Sequence, residues 1–341
     1  MKTLDNLIRP NIKKLKPYSS ARDEYKGSEG IFLDANENPF GSLNRYPDPY
    51  QKQLKKLLSE IKQVPVESIF VGNGSDEVID LAFRIFCEPG KDKALTFSPT
   101  YGMYEVSAAI NNVELIKIPL NKEFQIDMEL VRPYLSDNGI KPIFLCSPNN
   151  PTGNSLDGIE DLLKAFSGIV IIDEAYIDFS KRESWLKRLN EFPNLIISQT
   201  LSKAWGLASA RIGLAFANAE IITWFNKVKP PYNVSELNQR EAVNALMQKD
   251  KTSETIKLIL SEKKDLENQL KKLPLVKKIF PSDGNFMLVE VTDADKIYSY
   301  LTDQKIIVRN RNSVVNNCLR ITVGNPEENK RLINALEKYS L

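Results

Sequence analysis

The chain has 341 residues, with 46 basic and 44 acidic side chains, so its net charge is +2. This balance argues against a protein held on nucleic acid or on a membrane surface by bulk charge, and it favours small-molecule partners. The chain contains no histidine, which excludes every catalytic triad, dyad and metal site that needs an imidazole. Acid and base chemistry near neutral pH must therefore use Lys, Tyr, Cys, a carboxylate or a cofactor.

The three cysteines, Cys87, Cys146 and Cys318, lie far apart and form no Cys-x-x-Cys pair. They indicate neither a disulfide framework nor a cysteine-rich metal site, which fits a reducing, cytoplasmic setting. No apolar run approaches the ~18 residues that span a bilayer. We therefore expect neither export nor membrane insertion.

Short β-branched segments alternate with helical patterns between residues 68 and 217, which predicts an α/β domain with a mostly parallel sheet. A helix follows the first strand and is predicted to stop at Glu88-Pro-Gly90. Further helices are predicted over 156–166 and 185–189. The predicted strands are 68–71, 94–97, 113–118, 142–146, 169–172, 195–198 and 212–217.

The sequence after residue 250 predicts a second, smaller α+β domain. It begins with an amphipathic helix over 252–273 and continues with a strand (286–291), a helix (294–301), two strands (305–309 and 318–323) and a final helix from Pro326. We predict a large cofactor-binding domain over 36–250 and a small domain formed by 1–35 and 251–341. The N-terminal arm has too little apolar surface to fold alone, so we expect it to pack on the smaller domain or bridge to a partner subunit.

Four polar segments, 72–77, 147–153, 173–176 and 200–203, each directly follow a predicted strand. Ligands bind at the carboxyl ends of the strands in an open α/β sheet, so one pocket is expected to collect all four segments. The 30 residues from Asp173 to Lys203 match one strand-helix-strand unit, which places both residues on nearby strand ends.

Several residues in these segments have both a structural and a functional interpretation. Gly72-Asn-Gly-Ser75 starts a helix whose first amides favour phosphate, but it also fits an ordinary turn capped by Ser75 or Asp76. Asp173 ends a buried strand, where it either accepts loop amides or pairs with a protonated heterocycle nitrogen. Tyr176 either donates its phenol to the ligand that Asp173 binds or serves only in packing.

Lys203 has apolar and small neighbours, which predicts a desolvated amine with a lowered pKa and nucleophilic character. The alternative is a solvated lysine, the state of most lysines in proteins. Arg211 follows eight residues later and, with Ser202, is a candidate phosphate ligand.

Three motifs together resemble the fold-type-I aminotransferases that use pyridoxal 5'-phosphate: Asn150-Pro-Thr-Gly153, Asp173-Glu-Ala-Tyr176 and Ser202-Lys-Ala-Trp-Gly206. The resemblance runs from about Tyr18 to the C-terminus and is narrowed to the histidinol-phosphate aminotransferase family by five further motifs. These are Leu33-Asp-Ala-Asn-Glu-Asn-Pro39, Arg45-Tyr-Pro-Asp48, Gly72-Asn-Gly-Ser-Asp-Glu77, Pro99-Thr-Tyr-Gly-Met-Tyr104 and Leu319-Arg-Ile-Thr-Val-Gly324. Ser147, Trp205 and Ser209 depart from the family pattern, and we expect them to affect only fine substrate preference.

The resemblance implies a homodimer that binds pyridoxal 5'-phosphate and exchanges an amino group between L-histidinol phosphate and 2-oxoglutarate, giving glutamate, in histidine biosynthesis. Lys203 would bind the cofactor covalently and move a proton, Asp173 would pair with the ring nitrogen, and Tyr176 would bond the ring 3'-oxygen. The implied cofactor ligands are Ser75, Asp76, Tyr101, Asn150, Asp173, Tyr176, Thr200, Ser202, Lys203, Arg211 and Tyr46 of the partner subunit. The implied substrate ligands are Tyr18, Arg309 and Arg320.

Three alternatives stay open from the sequence. A phosphothreonine-type decarboxylase on the same fold would use the same Lys203 and Asp173 but release carbon dioxide. The second alternative is an aromatic amino-acid aminotransferase, which only the motif resemblance argues against. A non-catalytic ligand-sensing domain of this fold would normally be joined to a DNA-binding module, and the ~30 residues before the family motifs are too few for one.

Overall fold

The computed structural model describes residues 4–18 and 30–339. Its larger sheet has seven strands in the order β1-β7-β6-β5-β4-β2-β3. β7 is antiparallel to both neighbours, and the other pairs are parallel, so the predicted mostly parallel sheet is confirmed. The strands are β1 (Ile69–Asn73), β2 (Lys93–Ser98), β3 (Glu114–Pro119), β4 (Ile140–Cys146), β5 (Ile169–Asp173), β6 (Leu195–Thr200) and β7 (Ile212–Ala217).

Helices cover both faces of this sheet because its central strands are apolar on both sides. In β1, for example, Ile69 and Val71 enter one core, while Phe70 enters the other. Alternate side chains of a strand point to opposite faces, so a doubly covered strand is apolar throughout. The helices are α1 (Pro10–Lys14), α2 (Lys52–Lys62), α3 (Ser75–Phe86), α4 (Met103–Ile110), α5 (Met128–Leu135), α6 (Ile159–Ala165), α7 (Ala219–Val228) and α8 (Glu236–Met247).

The smaller domain has a four-stranded antiparallel sheet in the order β10-β11-β9-β8. Its strands are β8 (Val276–Ile279), β9 (Phe286–Val291), β10 (Arg309–Asn310) and β11 (Cys318–Thr322). Three helices share an apolar core with this sheet: α9 (Lys249–Leu270), α10 (Ala294–Asp303) and α11 (Pro326–Tyr339). The larger sheet lies within the predicted 36–250 domain and the smaller within 251–341, and the exact boundaries stay a prediction.

The expected strand over 305–309 is wrong for most of its length, because only Arg309–Asn310 pairs with β11. Lys305 has a left-handed φ of 61°, and the Ile306 amide donates to the Leu301 carbonyl. This turn and its hydrogen bond end α10 at its C-terminus, so residues 305 and 306 cannot take part in a strand. The predicted helix over 185–189 is a 3-10 helix, Trp185–Glu191, begun by the Ser184 side chain.

The N-terminal segment packs on the larger domain, so the expectation that it packs on the smaller one is wrong for residues 4–14. Leu7, Ile8 and Ile12 are buried in the same core as α3 and α7. The Arg9 amide donates to the Ile85 carbonyl at 3.0 Å. Burial of three apolar side chains drives this docking. Residues 19–29 of the arm lie outside the described part of the chain.

In residues 4–18 and 30–339, no helix is both long and apolar enough to cross a membrane.

Candidate active site

The carboxyl ends of the central strands and the edge of the smaller sheet enclose a cleft of about 320 Å³. Every predicted site residue except Tyr18 and Tyr46 lines this cleft, together with three residues that the sequence interpretation did not select. The lining residues are Ser75, Asp76, Tyr101, Cys146, Asn150, Asp173, Ala175, Tyr176, Thr200, Ser202, Lys203, Arg211, Arg309, Arg311 and Arg320.

One end of the cleft is formed by the start of α3 and the turn after β6. Gly74 precedes the helix with a φ of 78°, and its amide donates to the Arg211 carbonyl at 2.7 Å. A Cβ on Gly74 would stand 2.5 Å from Arg211 Nη2, so the guanidinium can approach only because this residue is glycine. The first amides of α3 and the Arg211 side chain thus form a cradle suited to a phosphate.

The side chains at this end leave the helix amides uncapped. Gly74 is the N-cap, so the alternative in which Ser75 or Asp76 caps the helix is wrong. The Asp76 carboxylate instead accepts from the Tyr101 hydroxyl at 3.1 Å and from Arg211 Nη2 at 3.3 Å. The helix start therefore keeps donors for an anion.

Asp173 lies at the end of β5, in the floor of the cleft, and is 2% exposed. Its Oδ2 accepts from the Tyr104 hydroxyl at 3.0 Å, and its Oδ1 accepts from the Ala175 amide at 3.1 Å. Burial raises the pKa of this carboxyl from 3.8 to about 6, although both donors act in the opposite direction. A cationic partner placed beside it would favour the ionised form.

Lys203 lies in the turn after β6, with its Nζ 5.7 Å from the centre of the Tyr176 ring. Partial burial lowers the pKa of its amine, and the positive charge of Arg320 lowers it further. The larger population of neutral amine makes Lys203 a better nucleophile and base than a solvated lysine. The side chain is nevertheless exposed to the cleft, so the prediction of a desolvated lysine is met only in the lowered pKa of its amine.

Tyr176 and Asn150 lie together beside the lysine. Asn150 Nδ2 donates to the Tyr176 hydroxyl at 3.5 Å, and Asn150 Oδ1 accepts from Arg320 Nη1 at 2.5 Å. The guanidinium of Arg320 also lies 5.5 Å above the Phe286 ring. These contacts place an amide, a phenol and a guanidinium on one side of the cleft.

Three arginines of the smaller domain face the cleft. Arg309 and Arg320 are opposite each other in the antiparallel pair β10 and β11, and Arg311 follows two residues after Arg309. The Nε atoms of Arg311 and Arg320 are buried and have no hydrogen-bond partner among the described residues. Burial also lowers the pKa of both guanidinium groups. Such orphaned donors are suited to an anionic ligand.

The sequence interpretation missed Arg311 and Tyr104. Alternation along an extended segment puts residues 309 and 311 on one side, which is a signal for Arg311. Tyr104 lies in the motif over 99–104, which gives it no separate role. Its contact with Asp173 joins the start of α4 to the end of β5, and no local pattern reports such a contact.

Tyr18 and Tyr46 lie away from the cleft of their own chain. Tyr46 stacks on Tyr232 with a ring separation of 4.4 Å and is half exposed. Tyr18 is exposed and lines a small hollow near Tyr50 and Tyr232. The roles assigned to these two residues stay predictions.

Comparison with known proteins identifies the family of this chain. The profile of aminotransferase class I and II matches residues 24–336. The chain belongs to this family. It is 50% identical to a histidinol-phosphate aminotransferase from Cytophaga hutchinsonii and 54% identical to one from Bacteroides thetaiotaomicron, with 99% of both chains covered in each case. The aminotransferase resemblance drawn from the sequence motifs is confirmed.

The solved structures show the same fold. A histidinol-phosphate aminotransferase from Sinorhizobium meliloti, in complex with pyridoxal-5'-phosphate, superposes with a TM-score of 0.80 at 24% identity. The alignment covers 90% of the present chain and 89% of the Sinorhizobium meliloti chain. The predicted fold class, a large domain with a mostly parallel sheet and a smaller α+β domain, is confirmed.

Proposed function

We propose that this chain is a pyridoxal-phosphate-dependent aminotransferase that exchanges an amino group between L-histidinol phosphate and 2-oxoglutarate. The observation that carries the proposal is one cleft in which the Lys203 amine, the buried Asp173 carboxylate and unsatisfied guanidinium donors converge. The names of relatives about half identical over nearly the whole chain support the same activity.

The residues present fit pyridoxal 5'-phosphate. The glycine cradle before α3 would receive the phosphate on the backbone amides of Ser75 and Asp76, with Thr200, Ser202 and Arg211 as further donors. Asp173 would pair with the ring nitrogen and Tyr101 would lie on the ring face. Tyr176 and Asn150 would bond the 3'-oxygen. When bound, this cofactor supplies an electron sink for the charge left on the substrate carbon.

The chain itself moves the proton and holds the charges. Lys203 would bind the cofactor covalently and, once displaced by the substrate amine, carry the proton from the substrate carbon. Burial lowers the pKa of its amine, which suits that base role. The Asp173 carboxylate would keep the ring nitrogen protonated. These roles account for acid and base chemistry in a protein without histidine.

The arginines would bind the substrate anions. Arg320 would take the carboxylate of glutamate in one half-reaction and the phosphate of histidinol phosphate in the other. Arg309 is opposite it on β10, and the buried Nε of Arg311 supplies a further donor nearby. A guanidinium fork matches both anions, since it can donate two parallel hydrogen bonds.

We further propose a cytoplasmic homodimer in which Tyr46 reaches the partner's cofactor phosphate and Tyr18 lies near the entrance of a site. The segment around Tyr46 exposes Ile31, Leu33 and Phe40 by more than four-fifths. Exposed apolar groups of this kind are typical of an association surface. The three cysteines are free and buried, which supports a reducing compartment.

The test is a product assay on purified protein supplied with pyridoxal 5'-phosphate. We expect L-histidinol phosphate and 2-oxoglutarate to give glutamate, and Lys203→Ala to abolish this. Borohydride reduction should leave the cofactor on Lys203. Release of carbon dioxide from O-phosphothreonine, or faster transamination of aromatic amino acids, would replace the proposed substrate. A label on another lysine would refute the assignment of Lys203.

A further inference from the structure

Tyr104 lies behind the cleft and contacts Asp173 from the side that faces the protein interior. It is 1% exposed, and its hydroxyl donates to Asp173 Oδ2 at 3.0 Å. Its ring stacks on Phe144 with centres 5.2 Å apart and meets the Tyr101 ring edge-on at 5.7 Å. This packing holds the phenol in place, so the hydroxyl is aimed at the carboxylate before any ligand binds.

We propose that Tyr104 is a positioning residue, whose hydroxyl keeps the Asp173 carboxylate ionised and directed at the ring nitrogen of the cofactor. The inference rests on the function proposed above, in which Asp173 pairs with that nitrogen. Tyr104 would act only through Asp173, because Tyr104 is not among the residues that line the cleft.

Hydrogen bonding to Asp173 offsets the cost of burying it. Burial raises the pKa of the carboxyl, and the Tyr104 bond is the largest influence that lowers it. A donor to the ionised form favours ionisation, as a second donor, the Ala175 amide, does on the other oxygen. The pKa of the Tyr104 phenol is itself raised by burial, so it keeps its proton and remains a donor.

The other groups near Asp173 do not replace this donor. Cys146 is its register partner on β4, and burial raises the pKa of that thiol, so it stays neutral. The Cys146 Sγ is directed to the Pro148 carbonyl at 3.4 Å and is also a hydrogen-bonding neighbour of the Tyr104 hydroxyl. The titratable groups that act on Asp173 from the surrounding elements are Tyr104, Cys146, Tyr101, Tyr176, Lys203 and Asp76.

The consequence concerns the proton shared by Asp173 and the ring nitrogen. Without the phenol donor the carboxylate becomes a stronger base and takes a larger share of that proton. The ring then loses part of its positive charge and with it part of its capacity to hold electrons. A tyrosine that served only packing would leave the position of this proton unchanged.

The first test uses the cofactor-free protein. The pKa of Asp173 is read from its carboxyl carbon by NMR, with the signal assigned through Asp173→Asn. We expect Tyr104→Phe, which keeps the packed ring, to raise this pKa by about 1 or more, a tenfold change in the proton equilibrium. Tyr300→Phe, which removes a phenol that packs on Tyr339 in the smaller domain, should leave it unchanged. An unchanged or lowered pKa in Tyr104→Phe would overturn the proposal.

The second test uses holoenzyme loaded with cofactor that carries ¹⁵N in the ring. We expect the nitrogen signal of the wild type near the protonated limit and that of Tyr104→Phe displaced toward the neutral limit. If Tyr104→Phe folds poorly, 3-fluorotyrosine placed at position 104, a nearly isosteric and stronger donor, should lower the pKa of Asp173. If Asp173→Asn does displace the nitrogen signal, equal signals in the wild type and in Tyr104→Phe would show that Tyr104 does not influence the shared proton and would overturn the proposal.

The two tests separate this inference from the proposed function. If the nitrogen signals of the wild type and of Asp173→Asn coincide, then Asp173 does not pair with the ring nitrogen, and that part of the proposed function fails. The titration of the cofactor-free protein still decides whether Tyr104 controls the carboxylate.

Discussion

Arg320 Nη1 donates a hydrogen bond to Asn150 Oδ1 at 2.5 Å, across 170 positions of sequence. The bond joins β11 of the smaller domain to the loop that follows β4 in the larger one. Asn150 also donates to the Tyr176 hydroxyl, so a proposed substrate ligand is bonded directly to one proposed cofactor ligand and, through it, to a second. A change at Arg320 is therefore expected to affect orientation as well as binding.

Arg320→Lys should affect the two half-reactions unequally. A planar fork matches a carboxylate with two parallel hydrogen bonds, whereas a phosphate is also served by the point charge of a lysine. We expect glutamate to lose roughly 1.5–3 kcal/mol of transition-state binding, or ~10- to 100-fold in kcat/KM. Histidinol phosphate should lose less transition-state binding, because Arg309 and Arg311 lie in the same cleft as Arg320 and would share its phosphate.

Single-turnover measurements of each half-reaction provide the check on Arg320. Arg132→Lys, at an exposed arginine paired with Glu129, is the matched control and should change neither half-reaction. Equal losses in both half-reactions would contradict the proposal that Arg320 binds the carboxylate and the phosphate in different ways. No loss in either would mean that Arg320 binds neither anion.

Asp173→Asn should retain much of the cofactor binding and lose most of the turnover. A neutral amide no longer stabilises a protonated ring nitrogen, and a hydrogen bond to a charged group contributes ~1.5–3 kcal/mol. At least a ~10- to 100-fold loss of kcat is expected. The measurement pairs kcat with the dissociation constant of the cofactor. Wild-type turnover in Asp173→Asn would contradict the role assigned to this carboxylate.

The same carboxylate makes the stability of the cofactor-free protein depend on pH. Its pKa is about 6 in the folded state against 3.8 for an ordinary Asp, so the folded protein binds the proton more tightly. Stability should therefore fall as the pH rises from about 4 to 6 and stay level above that. The difference in free energy of unfolding between Asp173→Asn and the wild type should change by about 2 kcal/mol between pH 4 and pH 7.

Denaturant titrations at pH 4 and pH 7 measure that difference. Asp178→Asn, at a partly exposed carboxylate that pairs with Lys62 at 3.6 Å, controls for the loss of any single carboxyl group. A stability difference for Asp173→Asn that did not vary with pH would mean that the carboxyl is not desolvated in the cofactor-free protein.

The central sheet and the strand-end residues were predictable because their signals are local. A buried strand between two helix layers is a continuous apolar run, and the polar residue that follows it stands at the edge where ligands bind. Asp173, Thr200 and Lys203 follow this pattern. Membership of an aminotransferase family followed from motifs, each only a few residues long.

The features that the sequence did not reveal depend on contacts between distant segments. The docking of Leu7, Ile8 and Ile12 was missed because three apolar residues do not identify the surface that buries them. Helix α4 was not predicted, and with it Tyr104 was missed as a partner of Asp173. The strand expected over 305–309 failed because the turn that ends α10 uses the same residues.

Gly213→Ala should disrupt the phosphate cradle through a backbone clash. Its Cβ would stand 2.1 Å from the Gly74 carbonyl carbon and 2.2 Å from the Ser75 amide nitrogen, so β7 and the start of α3 would have to separate. We expect a loss of about 3 kcal/mol or more in the free energy of unfolding, in the upper range for single substitutions. Affinity for the cofactor should fall as well.

Thermal or denaturant unfolding and cofactor titration measure both effects of Gly213→Ala. Gly102→Ala is the matched control, since a Cβ there would meet nothing within 4 Å and its φ of −66° suits any residue. It should be neutral or slightly stabilising. Equal stability of the two variants would show that the close approach of β7 to Gly74 does not matter.

The shared-site prediction concerns Tyr46, which stacks on Tyr232 away from the cleft of its own chain. Tyr46→Phe keeps this stack and removes only the hydroxyl, so the fold should be unaffected. If that hydroxyl reaches the partner's cofactor phosphate, its loss should weaken cofactor affinity by ~10- to 100-fold, as expected for a hydrogen bond to a charged group.

Mixed dimers decide whether the tyrosine acts across the subunit boundary. Tyr46→Phe is refolded with an excess of Lys203→Ala, which is inactive but carries an intact Tyr46, and activity is measured at limiting cofactor. Each Tyr46→Phe subunit then pairs with a subunit that supplies the missing hydroxyl, so activity per intact Lys203 should return toward the wild-type value. Activity that stays at the level of the Tyr46→Phe homodimer, or an active monomer in light scattering at assay concentration, would refute the shared site.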